Sequence, residues 1–359
     1  MGVPITNTTY AALARRFRRF AAAECRGVSP LYEHLACSIA ADHELLALAA
    51  HAAPGQPVPN LLLAAVHFLL LKGQADPLTQ FYPNLTPMAS SPDAAYPAFR
   101  AFCMAHAAAI RQLLATRRVQ TNEVGRCVYL LPAFTLVAML AHERPLALIE
   151  IGTSAGLNLL WDQYGYRYGQ DAVYGDRRSS VQIVCTLRGN VRPPLPDRLP
   201  AVALRVGVDL HVVDIHDAEE ALWLRALVGP DRLERARRLQ NAMEIARHNP
   251  PTLLAGDGVM LLPEVLRTVP EDAAVCVFHT HTINQFSAEA RDRLSAVLAE
   301  YGARREIYRV SAEGIRLSAE WIGTPHPQLE LTAWQNGQAR HKLLACCDHH
   351  GRWLEWLDR

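Results

Sequence analysis

The 359-residue sequence lacks a charge excess, a long apolar run, a C-x-x-C pair, an internal repeat and any low-complexity tract. Each absence excludes something. The 36 basic side chains against 35 acidic ones leave a net charge of +1, which removes the electrostatic case for broad nucleic-acid or anionic-membrane binding. No run approaches the roughly 18 apolar residues of a membrane-spanning helix. The N-terminus lacks the apolar core and cleavage site of a signal peptide. Arg15, Arg16, Arg18 and Arg19, set among alanines, read instead as the solvated face of an amphipathic helix. The eight cysteines are scattered, with only Cys346 and Cys347 adjacent. They fit reduced thiols in a cytoplasmic protein.

What is present is ordinary globular composition, 50% apolar and 20% charged. The length predicts one large domain with an accessory lobe, or two domains. Up to about residue 141 the spacing reads as helix, interrupted by Pro54-Gly55-Gln56-Pro57 and by a loop rich in Pro, Asn and Ser between Asp76 and Pro97. Ser29-Pro30 marks a helix start. From Leu146 the pattern alternates. Strands are predicted at Leu146–Ile151, Ala203–Leu210, Thr252–Gly256, Ala274–His279 and Arg305–Val310, with helices between Ala218 and Arg247 and over Ser287–Tyr301. Such alternation indicates a mostly parallel sheet, doubly wound by helices. Asn336-Gly337 predicts a two-residue hairpin in an antiparallel C-terminal tail. The expected division is a helical lobe over 1–141 and an α/β domain over 142–359, with an insertion at about 162–200 that caps the substrate pocket.

The stretch Leu146-Ala-Leu-Ile-Glu-Ile-Gly-Thr-Ser-Ala-Gly-Leu-Asn158 reads as strand, glycine turn and helix start. In open α/β sheets ligands sit beyond the carboxyl ends of the strands, so the residues there are the candidates. After the first strand come Gly152, Thr153, Ser154, Gly156 and Asn158, preceded by Glu150; Asp209 and Leu210 close the second; Gly256 and Asp257 follow the third; His279, His281 and Asn284 follow the fourth. An acid such as Asp209 accepts ribose hydroxyls, Asp257 meets an adenine edge, and Glu150 meets a cationic amino-acid end. The histidines, two apart, share a face on extended backbone and serve as base or hydrogen-bonding groups. No third ligand at metal spacing accompanies them, so no metal is expected. Asn122, Glu123 and Arg126 open an apolar helix, and Arg126 is suited to clamp a carboxylate bidentately. Tyr82 and Asn84 lie on the proline-rich loop as a candidate lid. With this set Tyr82, Asn122, Glu123 and Arg126 are the substrate-side candidates, while His349-His350 reads as a solvated turn.

In order, the acid-x-Gly-x-x-x-Gly turn, Gly207-Val-Asp209-Leu, Gly256-Asp257 and the terminal hairpin resemble the S-adenosylmethionine-dependent methyltransferase fold. Ser154 stands where the middle glycine of that turn is usual. Over nearly the full length the chain also resembles an uncharacterised bacterial family, in Ser29-Pro-Leu-Tyr-Glu-His34, Phe81-Tyr-Pro-Asn84, Gln120-Thr-Asn-Glu-Val-Gly-Arg126, Glu150–Asn158 and Phe278-His-Thr-His-Thr-Ile-Asn-Gln-Phe286. The resemblance implies a Rossmann-like core, S-adenosylmethionine as cofactor and a small-molecule substrate. Reaction at the methyl group or on the cofactor's amino-acid arm both fit. Three rivals stand beside it. Gly152-Thr-Ser154-Ala-Gly156 matches the G-x-S-x-G elbow of serine hydrolases. A nicotinamide dehydrogenase lacks its second glycine and its acid. A non-catalytic scaffold keeps the fold without the ligand.

Overall fold

The computed structural model describes residues 7–73, 75–314 and 326–358. In chain order the helices are α1 (Asn7–Phe20), α2 (Pro30–Ile39), α3 (His43–Ala49), α4 (Val58–Leu71), α5 (Ala95–Ala105), α6 (Ala107–Thr116), α7 (Cys127–Leu140), α8 (Ala218–Ala226), α9 (Leu233–His248), α10 (Gly258–Arg267) and α11 (Ala288–Gly302). The strands are β1 (Leu146–Ile151), β2 (Gly165–Tyr168), β3 (Tyr174–Gly175), β4 (Gln182–Arg188), β5 (Val202–Asp209), β6 (Thr252–Ala255), β7 (Ala274–Thr280), β8 (Ile307–Glu313), β9 (Gln328–Gln335), β10 (Gln338–Cys347) and β11 (Trp353–Trp356). No described helix is long and apolar enough to cross a membrane. No disulfide joins the cysteines.

The chain forms two compact units, Met1–Thr121 with His216–Gln240, and Asn122–Ile215 with Asn241–Arg359. The boundary expected near residue 141 therefore falls earlier, and a second segment joins the helical unit. The reason is burial. Helix α7 is apolar on every side and packs on β4 and β8, whereas α8 packs on α4.

In the helical unit α4 is the centre, with Leu61 to Phe68 fully covered. Helix α1 turns Leu13, Ala14, Phe17 and Phe20 inward and leaves Arg15, Arg16, Arg18 and Arg19 in solvent, as its periodicity predicts. His67 is held in the core. Its Nδ1–H faces the Ala226 carbonyl at 3.0 Å, and its Nε2 faces the Asn84 amide at 2.9 Å. A carbonyl accepts only, so the tautomer is fixed with the proton on Nδ1. Burial pushes this imidazole down to about 4. Tyr82 packs its ring 5.4 Å from that of His67 and has no exposed surface. It is a core residue of the helical unit rather than a mobile lid, because the aromatic ring contributes far more to stability buried than exposed. Among the described residues the Tyr82 hydroxyl has no hydrogen-bond partner. Tyr82→Phe should leave urea stability unchanged or raise it by up to about 1 kcal/mol, since it removes an unsatisfied buried group. A loss of similar size would show that the hydroxyl is held by something bound there.

In the second unit the strands form one sheet in the order β3-β2-β4-β11-β10-β9-β8-β7-β1-β5-β6. Strands β6, β5, β1, β7 and β8 run parallel, and β8, β9, β10 and β11 form antiparallel pairs. The result is a mixed α/β fold with a large, mostly parallel sheet and antiparallel C-terminal hairpins. Chain direction across the sheet reverses at β1, whose neighbours are β5 and β7. Odd residues of β1 (Ala147, Ile149, Ile151) and β7 (Val275, Val277) pack with α10 and α11. Even residues face α7, where Phe134 meets Phe278 at 5.1 Å and Trp161 at 5.2 Å. Asn336 (φ 51°) and Gly337 (φ 74°) join β9 to β10 with both residues left-handed, the twist-matched hairpin turn.

The helix expected after Gly156 does not form. Leu157–Gln163 is a 3-10 turn with non-helical backbone at Leu160, and the insertion continues as β2, β3 and β4. Tyr164, Tyr166 and Tyr168 are buried, and their hydroxyls donate to the carbonyls of Leu157, Trp161 and Val128. Those bonds let tyrosine serve as core in a short-strand segment.

Candidate functional site

Register places the ends of β1 and β5 side by side, with Ile151 opposite Val208. The turn after β1 is locked from two directions. Asn122 donates from its amide to the Ser154 hydroxyl (2.8 Å) and accepts from Ala155 N–H (3.1 Å). Asp209 accepts from Ser154 N–H (2.8 Å) and, with its other oxygen, from His211 N–H (2.9 Å). Ser154 is held in left-handed backbone at φ 52°. Its hydroxyl is engaged by Asn122, and among the described residues no histidine is hydrogen-bonded to it. The hydrolase elbow is thus present in sequence, with its serine hydroxyl held by Asn122 among the described residues.

The glycines do not open the turn to a ligand. A Cβ at Gly152 would overlap Thr282, and one at Gly156 would lie 2.7 Å from Pro251 and 2.8 Å from Leu253. At Gly256 it would meet Leu261 at 2.7 Å. Protein side chains use the room each glycine leaves, so close packing of the sheet edge accounts for these positions.

Beneath the turn lies Glu150, 2% exposed. It accepts from the Thr153 hydroxyl (2.7 Å) and the Asn158 amide (3.2 Å), while Asn158 in turn accepts from the Cys127 thiol. Burial pushes the Glu150 carboxyl up to about 8, against the pull of Thr153, Asn158 and Arg126. Both of its oxygens are engaged, so it supports the turn from below. Asp257 caps α10, one oxygen accepting from Val259 and Met260 N–H (2.8 and 3.1 Å). Leu210 is exposed beside Asp209.

A second cluster gathers where the turn before α7, the end of β7 and the β10–β11 turn meet. Arg126, 7% exposed, donates from Nε to the His349 carbonyl (3.2 Å) and from Nη1 to the carbonyl and hydroxyl of Thr280 (3.3 and 3.2 Å). Two of its three nitrogens are therefore engaged within the protein, so a bidentate grip on a ligand carboxylate through Nε and Nη1 is not free. Glu123 accepts from Gly125 N–H (3.0 Å) and pairs with His350 Nδ1 (3.0 Å). The His281 ring lies 5.1 Å from that of His349. His349-His350 is thus part of this cluster, not simply a solvated turn, because Asp348 bends the chain by accepting from His350 and Arg352 N–H.

His279 and His281 do not share a face. His279 lies on β7, buried, with Nδ1 2.8 Å from Glu313. His281 lies past the strand end at φ 55°, and that left-handed residue turns its ring toward the Arg126 side of the sheet. Burial first, then Arg126, His349 and His350, push His281 down to about 2. Asn284 is exposed in the 3-10 turn Ile283–Gln285. Glu313 had no place among the sequence candidates. Its signal is the alternation Arg309-Val-Ser311-Ala-Glu313, which carries β8 three residues beyond its predicted end.

Fold and site together define a mixed α/β protein whose sheet carries a buried polar network at the carboxyl ends of β1, β5 and β7. The chain belongs to the family described as uncharacterized protein conserved in bacteria (DUF2332), whose model matches residues 14–356. No curated protein and no solved structure matches it.

Proposed function

We propose that the α/β unit is a Rossmann-like enzyme that binds S-adenosylmethionine along the carboxyl edge of β5 and β1 and acts on a small molecule. One observation carries the reading: Asp209, at the end of β5, stands one hydrogen bond from the turn after β1. A turn and an adjacent acid at the point where strand order reverses are the pair an adenosine moiety uses. The residues fit the sugar. Each Asp209 oxygen accepts one backbone N–H, and a carboxylate oxygen offers two lone pairs, so both retain capacity for ribose hydroxyls. Exposed Leu210 and the second oxygen of Asp257 would meet the base. When bound, the cofactor supplies an electrophilic carbon beside its sulfonium.

The chain's own part in the chemistry is orientation. His281, neutral across physiological pH, hydrogen-bonds a substrate instead of storing a proton. His279 faces the opposite side of the sheet and is not assigned to this step. Arg126 fixes Thr280 and His349 around the cluster.

Isothermal titration with S-adenosylmethionine tests the proposal. Saturable heat is expected, weakened about tenfold or more in Asp209→Ala, or about 1.4 kcal/mol. No heat from the parent chain overturns the proposal in favour of a scaffold that kept only the fold. Adenosylhomocysteine as product marks methyl transfer, and methylthioadenosine marks chemistry on the amino-acid arm.

A further inference from the structure

The end of the 3-10 turn Leu157–Gln163, the loop joining β3 to β4 and the last turns of α9 line a cleft of about 410 Å³. That volume lies within the roughly 300–1,000 Å³ of small-molecule sites. All of its lining residues belong to the α/β unit, and none belongs to the turn after β1 or to the Arg126 cluster.

Three carboxylates reach the cleft from three separate elements: Asp162 from the 3-10 turn, Asp176 from the β3–β4 loop and Glu244 from α9. No lysine or arginine is among the lining residues. Each carboxylate is engaged on one oxygen. Asp162 Oδ2 accepts from Arg205 (2.5 Å), Glu244 Oε2 from Arg247 (2.7 Å) and Asp176 Oδ1 from Arg178 N–H (2.8 Å). Asp162 Oδ1 is covered from solvent and, among the described residues, has no hydrogen-bond partner. A buried acceptor left unpaired costs free energy. Burial also pushes the Asp162 carboxyl above its ordinary value even with Arg205 beside it, so its negative charge is incompletely offset. The carbonyl end of α9 adds partial negative charge to the same wall. His248 donates from Nδ1 to the Glu244 carbonyl (2.8 Å), which leaves Nε2 of the neutral ring as one more acceptor.

The lining therefore calls for positive charge and N–H donors. It does not call for a point charge. Among the described residues no three His, Cys, Asp or Glu side chains converge to hold a metal, so the three carboxylates are spread through the cleft. Ile245 gives it a stretch of apolar wall. The matching ligand has several ammonium groups joined by methylene segments.

We propose that this cleft binds a small linear polyamine. Its ammonium groups donate to Asp162 Oδ1, Asp176 and Glu244, and a methylene segment lies on Ile245. The site is separate from the proposed cofactor edge and is tested without any nucleotide.

Spermidine is the probe, with butylamine, a single ammonium on a similar chain, as its control. Titration calorimetry of the full chain at about pH 8, where imidazoles are ordinarily neutral and alkylamines charged, should give saturable heat with spermidine. Butylamine should bind at least tenfold more weakly. Asp162→Asn keeps a carbonyl for Arg205 and should weaken spermidine about tenfold or more. Glu244→Gln changes a side chain that is 59% exposed, so the fold tolerates it; it should weaken spermidine about threefold or more and decides the matter alone if Asp162→Asn does not fold. No saturable heat from the parent chain, equal affinity for the two amines, or parent affinity in Glu244→Gln overturns the proposal.

Discussion

Gly351→Ala should destabilise the α/β unit by about 3 kcal/mol or more, the combined cost of left-handed backbone and a backbone overlap. Gly351 sits at φ 77° in the β10–β11 turn, and a Cβ there would strike the carbonyl of Gly125. Flexible side chains can yield to such a contact, but a carbonyl in the turn that carries Glu123 and Arg126 cannot. The built-in control is Gly337→Ala. That residue has nearly the same φ, 74°, with nothing within 4 Å of its Cβ position. It should lose only about 1 kcal/mol, the conformational cost alone. Urea midpoints of the two variants separate overlap from strain, and equal losses would mean that the β10–β11 turn does not rest on Gly125. Gly351→Ala should also displace His349 and His350, breaking their bonds to Arg126 and Glu123.

Glu150→Gln should abolish a pH dependence of stability on the order of 4 kcal/mol. The folded carboxyl is pushed from its ordinary 4.5 up to about 8, so the folded chain binds this proton more tightly than the unfolded chain does. Its contribution is complete below about 4.5 and is lost as pH rises toward 8. Glutamine imitates the protonated acid: its carbonyl accepts from Asn158 and its amide donates to Thr153. Denaturation of both proteins at about pH 5 and about pH 9 checks this, because taking the difference cancels groups common to both. If parent and variant lose stability in parallel over that range, Glu150 is not held neutral in the folded state.

Several parts of the fold were legible because they depend on local pattern. The apolar run Leu146–Ile151, the valine-rich β5 and β7, the basic face of α1 and the Asn336-Gly337 hairpin follow from residue period and turn chemistry. Strands β2 to β4 were missed. Tyr164, Tyr166 and Tyr168 alternate too briefly to signal a strand, and their burial depends on carbonyls supplied by Leu157, Trp161 and Val128. The candidate residues were legible as neighbours along the sheet edge and less so in their contacts. Asp209 and the Gly152–Gly156 turn were both singled out, and they do meet. What the glycines adjoin, however, is Thr282, Pro251 and Leu253, brought there by β6 and the loop after β7. The histidine pair was placed on one face by strand period, and a single left-handed residue, His281, separates it.

By itself the sequence determined an α/β sheet entered by a helical segment, the strand that starts it and the polar residues at its carboxyl edge. All of that is written in hydrophobic period, which neighbouring residues enforce through backbone geometry. The tertiary structure alone decided that Glu150 is engaged on both oxygens, that Arg126 is engaged through Nε and Nη1, that Tyr82 is core, and that Glu313 grips His279. The Glu313–His279 and Arg126–His349 contacts reach partners 34 and 223 residues away in the chain, Glu150 meets Thr153 and Asn158 only once the turn folds back over it, and Tyr82 depends on packing around a buried group; no local pattern records which side chain will arrive.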